Sequence, residues 1–259
     1  MADTRLGGMV MEVSGEGPTV VLIHGLGGDS NTFETIMPML DGYRVIRFDL
    51  PGAGRSPLKP GRPGIAALAA AVRDGMRAVG ANRAYLVGHS MGTVVCQYLA
   101  ADHPEMVCGM TLLGPILEPP PAARQGLKDR AAAARKDGMA GIADAVSTGS
   151  VSEACRQANP VVKAFVRESL MRQSPEGYAA HCEALSDAIA VDHTAIACPT
   201  LLVAGEKDPV APVAMAETLK SRIVAAELEI IPGIAHWMTM EAPSRTGELL
   251  RKHLEKTAA

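Results

Sequence analysis

A Gly-His-Ser-Met-Gly motif at residues 88–92 combines residue types that could carry out a reaction. The apolar residues 84–87 before it are typical of a buried strand, and a helical pattern begins at Met91. Ser90 is therefore expected on a tight strand-to-helix turn, where small neighbours avoid collisions and the helix N-terminus favours negative charge. We predict that Ser90 is a nucleophile. The motif by itself also fits a chance turn, so the rest of the chain must decide.

Two further polar residues follow the ends of later predicted strands. Asp208 comes just after the apolar run 200–205, and His236 follows the run 227–231. The carboxyl ends of parallel strands share one sheet edge, so Ser90, Asp208 and His236 are expected to meet there. Their order along the chain is the order that accompanies a nucleophile elbow. His236 would remove the serine proton and Asp208 would orient the imidazole, so catalysis should fall at low pH as the histidine becomes protonated.

Neighbouring residues offer alternatives for these roles. Glu206 competes with Asp208 for the role of the acid, but the Gly-x-x-Asp spacing at 205–208 favours Asp208. His24 and His89 flank the site motifs and are interpreted as braces of the backbone there.

The fourth part of the predicted site is the His-Gly-Leu-Gly-Gly run at residues 24–28, which also follows a strand. Its glycines let main-chain N–H groups approach a ligand closely. We assign an oxyanion hole to the main-chain N–H groups of Leu26 and Met91, donors worth about 10²–10³ in rate each. The run lacks the Gly-Lys-Ser/Thr ending and the spacing of nucleotide-binding loops, so no nucleotide cofactor is expected.

Strand-like and helical segments alternate along most of the chain. Alternation implies parallel pairing through right-handed crossovers, hence an α/β fold with a mostly parallel, doubly wound sheet. The first two strands, separated by turn residues 15–18, are expected to enter the sheet as an antiparallel unit. The predicted strands are residues 8–13, 19–23, 43–49, 83–88, 107–113, 200–205 and 227–231; the predicted helices are 31–40, 65–79, 91–101, 213–223 and 244–255.

The alternation stops between residues 115 and 196, where only helices are predicted, at 122–136, 139–146, 160–173 and 175–188. Asn159 and Ser174 each precede a proline and are expected to cap the helices that follow. The predicted organisation is thus a core of residues 1–114 and 196–259 with a helical cap at 115–195.

Taken together, these motifs resemble those of the α/β-hydrolase-fold serine hydrolases. The resemblance rests on residues 24–28, 49–56, 88–92, 205–208 and 235–236, which run almost from end to end of the chain. It implies the α/β-hydrolase fold, the triad Ser90, Asp208 and His236, and no cofactor.

Within this superfamily, the Ser-Pro-Glu-Gly-Tyr-Ala run at 174–179 resembles 3-oxoadipate enol-lactonases and related carboxylesterases. Thr93 departs from the pattern, because many relatives have a further glycine there. Its hydroxyl could alter local packing or bond to the strand.

Composition and charge restrict the class of protein. The 259 residues are 47% hydrophobic, as in one large globular domain, and carry a net charge of −3 with no basic block. Neither nucleic acid nor a membrane surface is therefore expected as a partner. The five cysteines form no pairing or metal-ligand pattern, and the N-terminus opens no hydrophobic signal segment, which predicts a cytoplasmic protein without a metal. No feature indicates an oligomeric state.

The residues that would line a substrate pocket are harder to identify. Trp237 follows the predicted base and could contact substrate or only shield His236, while Met139 and Met171 in the helical segment could line the pocket or belong to the core. Arg55, in the loop at 49–56, is expected to form ion pairs or hydrogen bonds. Residues 115–195 hold nine Lys and Arg against ten Asp and Glu, so no excess of positive charge indicates a dicarboxylate substrate. One arginine would nevertheless be enough to bind the second carboxylate of such a substrate.

Three hypotheses about function follow. The first is a hydrolase of carboxylic esters or lactones that acts on a small molecule, and an enol-lactonase is one form of it. The second is a C–C bond hydrolase or perhydrolase of the same superfamily. The third, from another class, is a ligand-binding receptor that keeps the triad but turns over slowly.

Overall fold

The computed structural model describes residues 2–258. Within these residues, eight strands form one sheet in the order β1-β2-β4-β3-β5-β6-β7-β8. β1 and β2 pair antiparallel with their neighbours, and all the other pairs are parallel. The α/β-hydrolase sheet expected from the sequence is thus confirmed. The strands are β1 (Ala2–Leu6), β2 (Met9–Ser14), β3 (Thr19–Ile23), β4 (Arg44–Asp49), β5 (Ala84–His89), β6 (Val107–Leu113), β7 (Thr200–Gly205) and β8 (Ala226–Ile231).

Helices cover both faces of this sheet. Alternate residues of β5 show the arrangement: Leu86 packs into the cluster with α1 and α2, whereas Tyr85 and Val87 pack into the cluster with α10. A central strand buried on both faces reads as a continuous apolar run, which is why its sequence is easy to recognise. The α-helices outside the insertion are α1 (Ile65–Ala78), α2 (Met91–Asp102), α8 (Val213–Arg222), α9 (Met238–Glu241) and α10 (Pro243–Ala258).

Five α-helices lie between β6 and β7, and no strand occurs there among the described residues. They are α3 (Pro121–Asp137), α4 (Ala140–Gly149), α5 (Glu153–Ala158), α6 (Pro160–Met171) and α7 (Pro175–Ser186). We call them the inserted helices. Six-residue α5 was not predicted, because it is too short to show a helical period. Ser174 caps α7 by accepting a hydrogen bond from the main-chain N–H of Gly177, but the Asn159 side chain makes no capping bond.

Two local predictions need correction. Residues 31–40 belong to a 3-10 helix, Ser30–Leu40, rather than an α-helix; Pro38 within it has no N–H to donate to the turn before. β2 and β3 do not pair with each other, because β4 lies between them and β2 pairs instead with β1 and β4. No helix in the described part of the chain has the length and apolarity needed to cross a membrane.

A buried carboxylate at the end of β4 ties two loops of the sheet edge together. Asp49 accepts hydrogen bonds from the main-chain N–H of Ser30 at 2.9 Å and from Nε of Arg55 at 2.7 Å. Arg55 also pairs with Glu12 of β2 at 2.8 Å, so it forms ion pairs as the sequence suggested. Burial works to raise the pKa of Asp49, but the bonds from Arg55 and Ser30 outweigh it and leave the pKa lowered.

We predict that Asp49→Asn destabilises the fold by about 1–3 kcal/mol at pH 7, because it removes the charge from buried hydrogen bonds. A carboxylate whose pKa is lower in the folded state contributes stability above its unfolded pKa, and this is lost as the pH falls through the folded pKa. The difference between Asp49→Asn and wild type should therefore shrink below about pH 4. Urea unfolding at several pH values measures it. Asp102→Asn, at an exposed position in α2, is the control; a pH-independent difference would contradict the prediction.

Candidate active site

Ser90 occupies a strained turn between β5 and α2. Its backbone angles are φ 54° and ψ −121°, and it is the one non-glycine residue with positive φ among residues 2–258. Its main-chain N–H donates to the Leu113 carbonyl of β6 at 2.9 Å, which anchors the turn. A Cβ at Gly88 would lie 2.5 Å from the Gly92 carbonyl oxygen, and one at Gly92 would lie 2.1 Å from that of Ile23. The two glycines are thus required for close packing.

Thr93, the residue that departs from the family pattern, reinforces this turn. Its Oγ1 donates to the Ser90 carbonyl at 2.6 Å and accepts from the main-chain N–H of Ile116 at 3.1 Å. The hydroxyl is fully buried and acts both as a hydrogen-bond donor and as an acceptor. It therefore connects the turn to the segment that follows β6.

His236 and Asp208 form a buried pair beyond β8 and β7. Nδ1 of His236 lies 2.7 Å from Oδ2 of Asp208. The other carboxylate oxygen of Asp208 accepts from the main-chain N–H groups of Val210 at 2.8 Å and Ala211 at 3.0 Å. Burial works to raise the pKa of Asp208, but its histidine partner and these N–H donors outweigh burial and lower the pKa, so the carboxylate is charged at neutral pH. Glu206, the alternative acid, is exposed and accepts from Gly233 instead.

His89 links the serine turn to the histidine loop. Its Nε2 donates to the main-chain carbonyl of His236 at 2.9 Å, and the two rings lie 5.0 Å apart. Burial, and next the neighbouring His236, lower the pKa of His89 to about 3, so this ring is neutral and carries its proton on the nitrogen that faces the carbonyl. The interpretation of His89 as a brace agrees with this contact.

The loop at residues 24–28 lies beside the serine turn. The main-chain N–H of Gly28 donates to the Gly25 carbonyl at 3.1 Å. His24 bridges this loop to β4, because its Nδ1 donates to Gly25 and its Nε2 accepts from the N–H of Leu50. Leu26 lines the cavity in front of Ser90, and Met91 is the buried first residue of α2. Both predicted oxyanion-hole residues are therefore next to the serine.

The inserted helices hold this loop from the other side. Ser169 of α6 donates through Oγ to the Gly27 carbonyl at 2.8 Å, and Gln173 donates to the Ser169 carbonyl at 2.9 Å. Gln173 also accepts from the main-chain N–H of Gly54, at 3.1 Å. Neither Ser169 nor Gln173 was predicted as part of the site, since polar residues near the end of a helix have no sequence pattern that indicates a contact with a distant loop.

The inserted helices also hold the histidine loop. The main-chain N–H of His236 donates to the Ser150 carbonyl at 3.1 Å, and the indole N–H of Trp237 donates to Ser150 Oγ at 2.9 Å. Glu241 of α9 accepts from the N–H groups of Ser152 at 3.0 Å and Trp237 at 3.1 Å. Trp237 is buried, with its ring 5.2 Å from that of His89.

One cavity of about 280 Å³ joins these parts. Ser90, His89, His236, Leu26 and Trp237 line it, and its remaining walls are mostly apolar. Those walls come mainly from the inserted helices and the loop after β7, and they include Ile116, Pro119, Pro120, Ala123, Gly126, Leu127, Arg130, Val146, Ser150, Tyr178, Leu185, Pro209, Val210 and Met215.

The two methionines predicted for the pocket do not line this cavity. Met139 is buried at the start of α4 within the apolar core, and Met171 is 37% exposed on the outer face of α6. The buried face of α6 is formed instead by Val162, Val166 and Leu170. In this cavity, Met139 and Met171 are therefore not expected to contact a substrate.

A profile of the alpha/beta hydrolase fold matches residues 18–243 of the chain. The chain belongs to the alpha/beta hydrolase fold family. This confirms the family and the fold that the motifs indicated.

Enol-lactonases and esterases are among the similar proteins of this family. The 3-oxoadipate enol-lactonase 2 of Acinetobacter baylyi is 28% identical over 228 residues, covering 87% of this chain and 84% of the relative. The structure of the enol-lactonase from Burkholderia xenovorans LB400 superposes with a TM-score of 0.92 at 27% identity, covering 98% of this chain and 100% of that one. The structure of a thermophilic esterase from Thermogutta terrifontis superposes with a TM-score of 0.92 at 27% identity, covering 97% of this chain and 94% of that one. Two other curated relatives match more locally, and this chain spans only 28% and 38% of their lengths.

We predict that Ser169→Ala loosens the loop at residues 24–28, because the hydrogen bond to Gly27 is lost. A bond of about 1 kcal/mol corresponds to roughly fivefold faster amide exchange in this loop. Hydrogen–deuterium exchange read by mass spectrometry measures the rate. Ser147→Ala is the matched control, since this buried serine donates only within α4. Unchanged exchange in the loop of Ser169→Ala would show that the bond does not order it.

Proposed function

We propose that this protein is a serine hydrolase that cleaves a carboxylic ester or a lactone through an acyl-enzyme on Ser90. The observation that carries the proposal is the 2.7 Å bond between His236 and Asp208, with His236 and the strained Ser90 facing one cavity. A serine hydroxyl needs a nearby base to become nucleophilic, and an aspartate behind the base fixes its tautomer. The enol-lactonase and esterase relatives support the choice of carboxylic esters and lactones.

The first half of the proposed reaction forms the acyl-enzyme. Oγ of Ser90 attacks the substrate carbonyl carbon while Nε2 of His236 takes the serine proton, and Asp208 stabilises the imidazolium. The carbonyl oxygen becomes an oxyanion, which the main-chain N–H groups of Leu26 and Met91 stabilise. The tetrahedral intermediate then expels the alkoxide or enolate, and His236 transfers the proton taken from Ser90 to that leaving oxygen.

The second half releases the acid. Water enters, His236 removes one of its protons, and the hydroxide oxygen attacks the acyl carbon. The bond to Ser90 breaks, the serine regains its proton from the imidazolium, and a carboxylic acid leaves. These steps use only side chains and main-chain donors of this chain.

In this proposal the inserted helices act as a cap over a core of residues 1–114 and 196–259. The segment 115–195, which contains these helices, supplies most of the apolar cavity wall; this wall keeps water away from the developing charge and favours a substrate of small to medium size. The five unpaired cysteines support the further proposal of a reducing, cytoplasmic setting.

We expect purified protein to hydrolyse p-nitrophenyl acetate and butyrate, and Ser90→Ala to lower kcat/KM by at least about 10³-fold, because the nucleophile is removed. Release of p-nitrophenolate measures the rate, with Ser147→Ala as the matched control. Equally slow turnover by wild type and Ser90→Ala would reject the enzyme and favour a slow-turnover receptor. Turnover of vinylogous diketones in preference to esters and lactones would favour a C–C bond hydrolase.

We expect Asp208→Asn to lower kcat by about 10⁴-fold, since an amide cannot hold the same tautomer or stabilise the imidazolium. Glu206→Gln is the matched control and should stay within about twofold of wild type, because its side chain lies outside the cavity. Steady-state kinetics on p-nitrophenyl butyrate separates the two acids. A larger loss in Glu206→Gln than in Asp208→Asn would overturn the assignment.

A further inference from the structure

Arg130 of α3 brings a positive charge to the wall of an otherwise mostly apolar cavity. Among the described residues that line this cavity, it is the only Asp, Glu, Lys or Arg. It is half-buried, and it also lines an adjoining cleft with Asp137, Val146 and Val210; among the described residues no ion pair joins Arg130 to Asp137. Arg130 therefore stands where the cavity in front of Ser90 continues outward between α3 and α4.

Other arginines of α3 have acidic partners. Arg135 pairs with Glu176 at 2.8 Å and with Glu183 at 2.6 Å, and Arg124 pairs with Glu118 at 3.4 Å. Within residues 2–258, Arg130 makes no ion pair with a carboxylate. A half-buried guanidinium without a counterion leaves an unbalanced positive charge at the cavity wall.

A polar neighbour of Arg130 is Tyr178 of α7, whose buried hydroxyl makes no hydrogen bond of good geometry within the described part of the chain. Burial raises the pKa of Tyr178, with the positive charge of Arg130 acting against this effect, so the two groups lie within electrostatic reach. A neutral phenol does not balance the guanidinium. The pair instead offers N–H and O–H donors beside one another.

We propose that Arg130 binds a carboxylate of the substrate, so that the substrate class is an ester or lactone that carries a carboxylate away from the carbonyl attacked by Ser90. This inference rests on the proposed hydrolase function. A guanidinium binds a carboxylate through two parallel N–H···O bonds, and the apolar walls strengthen this pair by excluding water. Arg130 then determines specificity and orients the substrate, while the reaction occurs at Ser90.

Matched pairs of chromogenic esters test this assignment. The acidic probes are the p-nitrophenyl hydrogen esters of adipate, pimelate and suberate, and the neutral probes are their p-nitrophenyl methyl diesters. Wild type should prefer the acidic member for at least one chain length. Arg130→Gln should lower the acidic-to-neutral ratio of kcat/KM by roughly 10- to 100-fold, as expected for the loss of a charged hydrogen-bonded pair, and Arg130→Lys should retain part of it.

Lys128→Gln is the matched control, because it removes the same charge from an exposed position of α3 outside the cavity. It should leave the ratio unchanged. An unchanged acidic-to-neutral ratio in Arg130→Gln, or an equal loss of this ratio in Lys128→Gln, would overturn the role of Arg130. The proposed hydrolase function would still stand if neutral esters were turned over in a Ser90-dependent way.

Calorimetric titration of Ser90→Ala with the free dicarboxylates gives a readout that does not depend on turnover. Adipate, pimelate or suberate should bind, and adding Arg130→Gln should weaken binding by roughly tenfold or more. Absence of binding by all three acids would overturn the inference. Absence of Ser90-dependent turnover would instead reject the proposed function.

Discussion

The site depends on the close approach of main-chain atoms around Ser90. Its left-handed backbone is unfavourable for an L-residue and persists only where the surroundings hold it. Here the Ser90 N–H is fixed on the Leu113 carbonyl, Thr93 bonds to the Ser90 carbonyl, and Gly92 packs against Ile23 without room for a Cβ. The direction of the serine hydroxyl therefore depends on the packing of three strands and one helix, namely β3, β5, β6 and α2.

The inserted helices contribute more than residues of the cavity wall. Ser169 and Gln173 donate to carbonyls of the glycine loop at residues 24–28, and the Ser150 carbonyl accepts from the loop that carries His236. Both loops that complete the proposed site are thus held partly by side chains or carbonyls from the segment between β6 and β7. Changes in this segment would act on loop geometry as well as on cavity shape, since both share the same contacts.

Charged side chains have different surroundings in the core and at the cavity wall. Asp49, Arg55 and Glu12 form a connected set in which each buried carboxylate has a partner, and this set ties the loops of the sheet edge together. At the cavity wall, Arg130 has no such acidic partner within residues 2–258. A paired set supports the fold, whereas an unbalanced charge beside a cavity is suited to a ligand of opposite charge.

Much of the fold and of the candidate site could be predicted from sequence, because the signals are local. The apolar runs at β3 and β7 were predicted with the bounds that the structure has, and residues 88–92 indicated a tight turn because only small residues fit there. The Gly-x-x-Asp spacing likewise separated Asp208 from Glu206. By contrast, the six residues of α5 were too short to show a period, and the 3-10 helix at Ser30–Leu40 shares its apolar pattern with an α-helix.

The sequence by itself thus determined the tight turn at residues 88–92, the choice of Asp208 over Glu206, and the ends of β3 and β7. Each of these depends on residues only a few positions apart. The tertiary structure decided which distant groups meet: Asp208 on His236, Ser169 on Gly27, and Arg130 rather than Met139 or Met171 at the cavity wall. It also placed β4 between β2 and β3. Such contacts depend on how helices and strands pack, and no short stretch of sequence specifies which face of α3 or α6 turns toward the site.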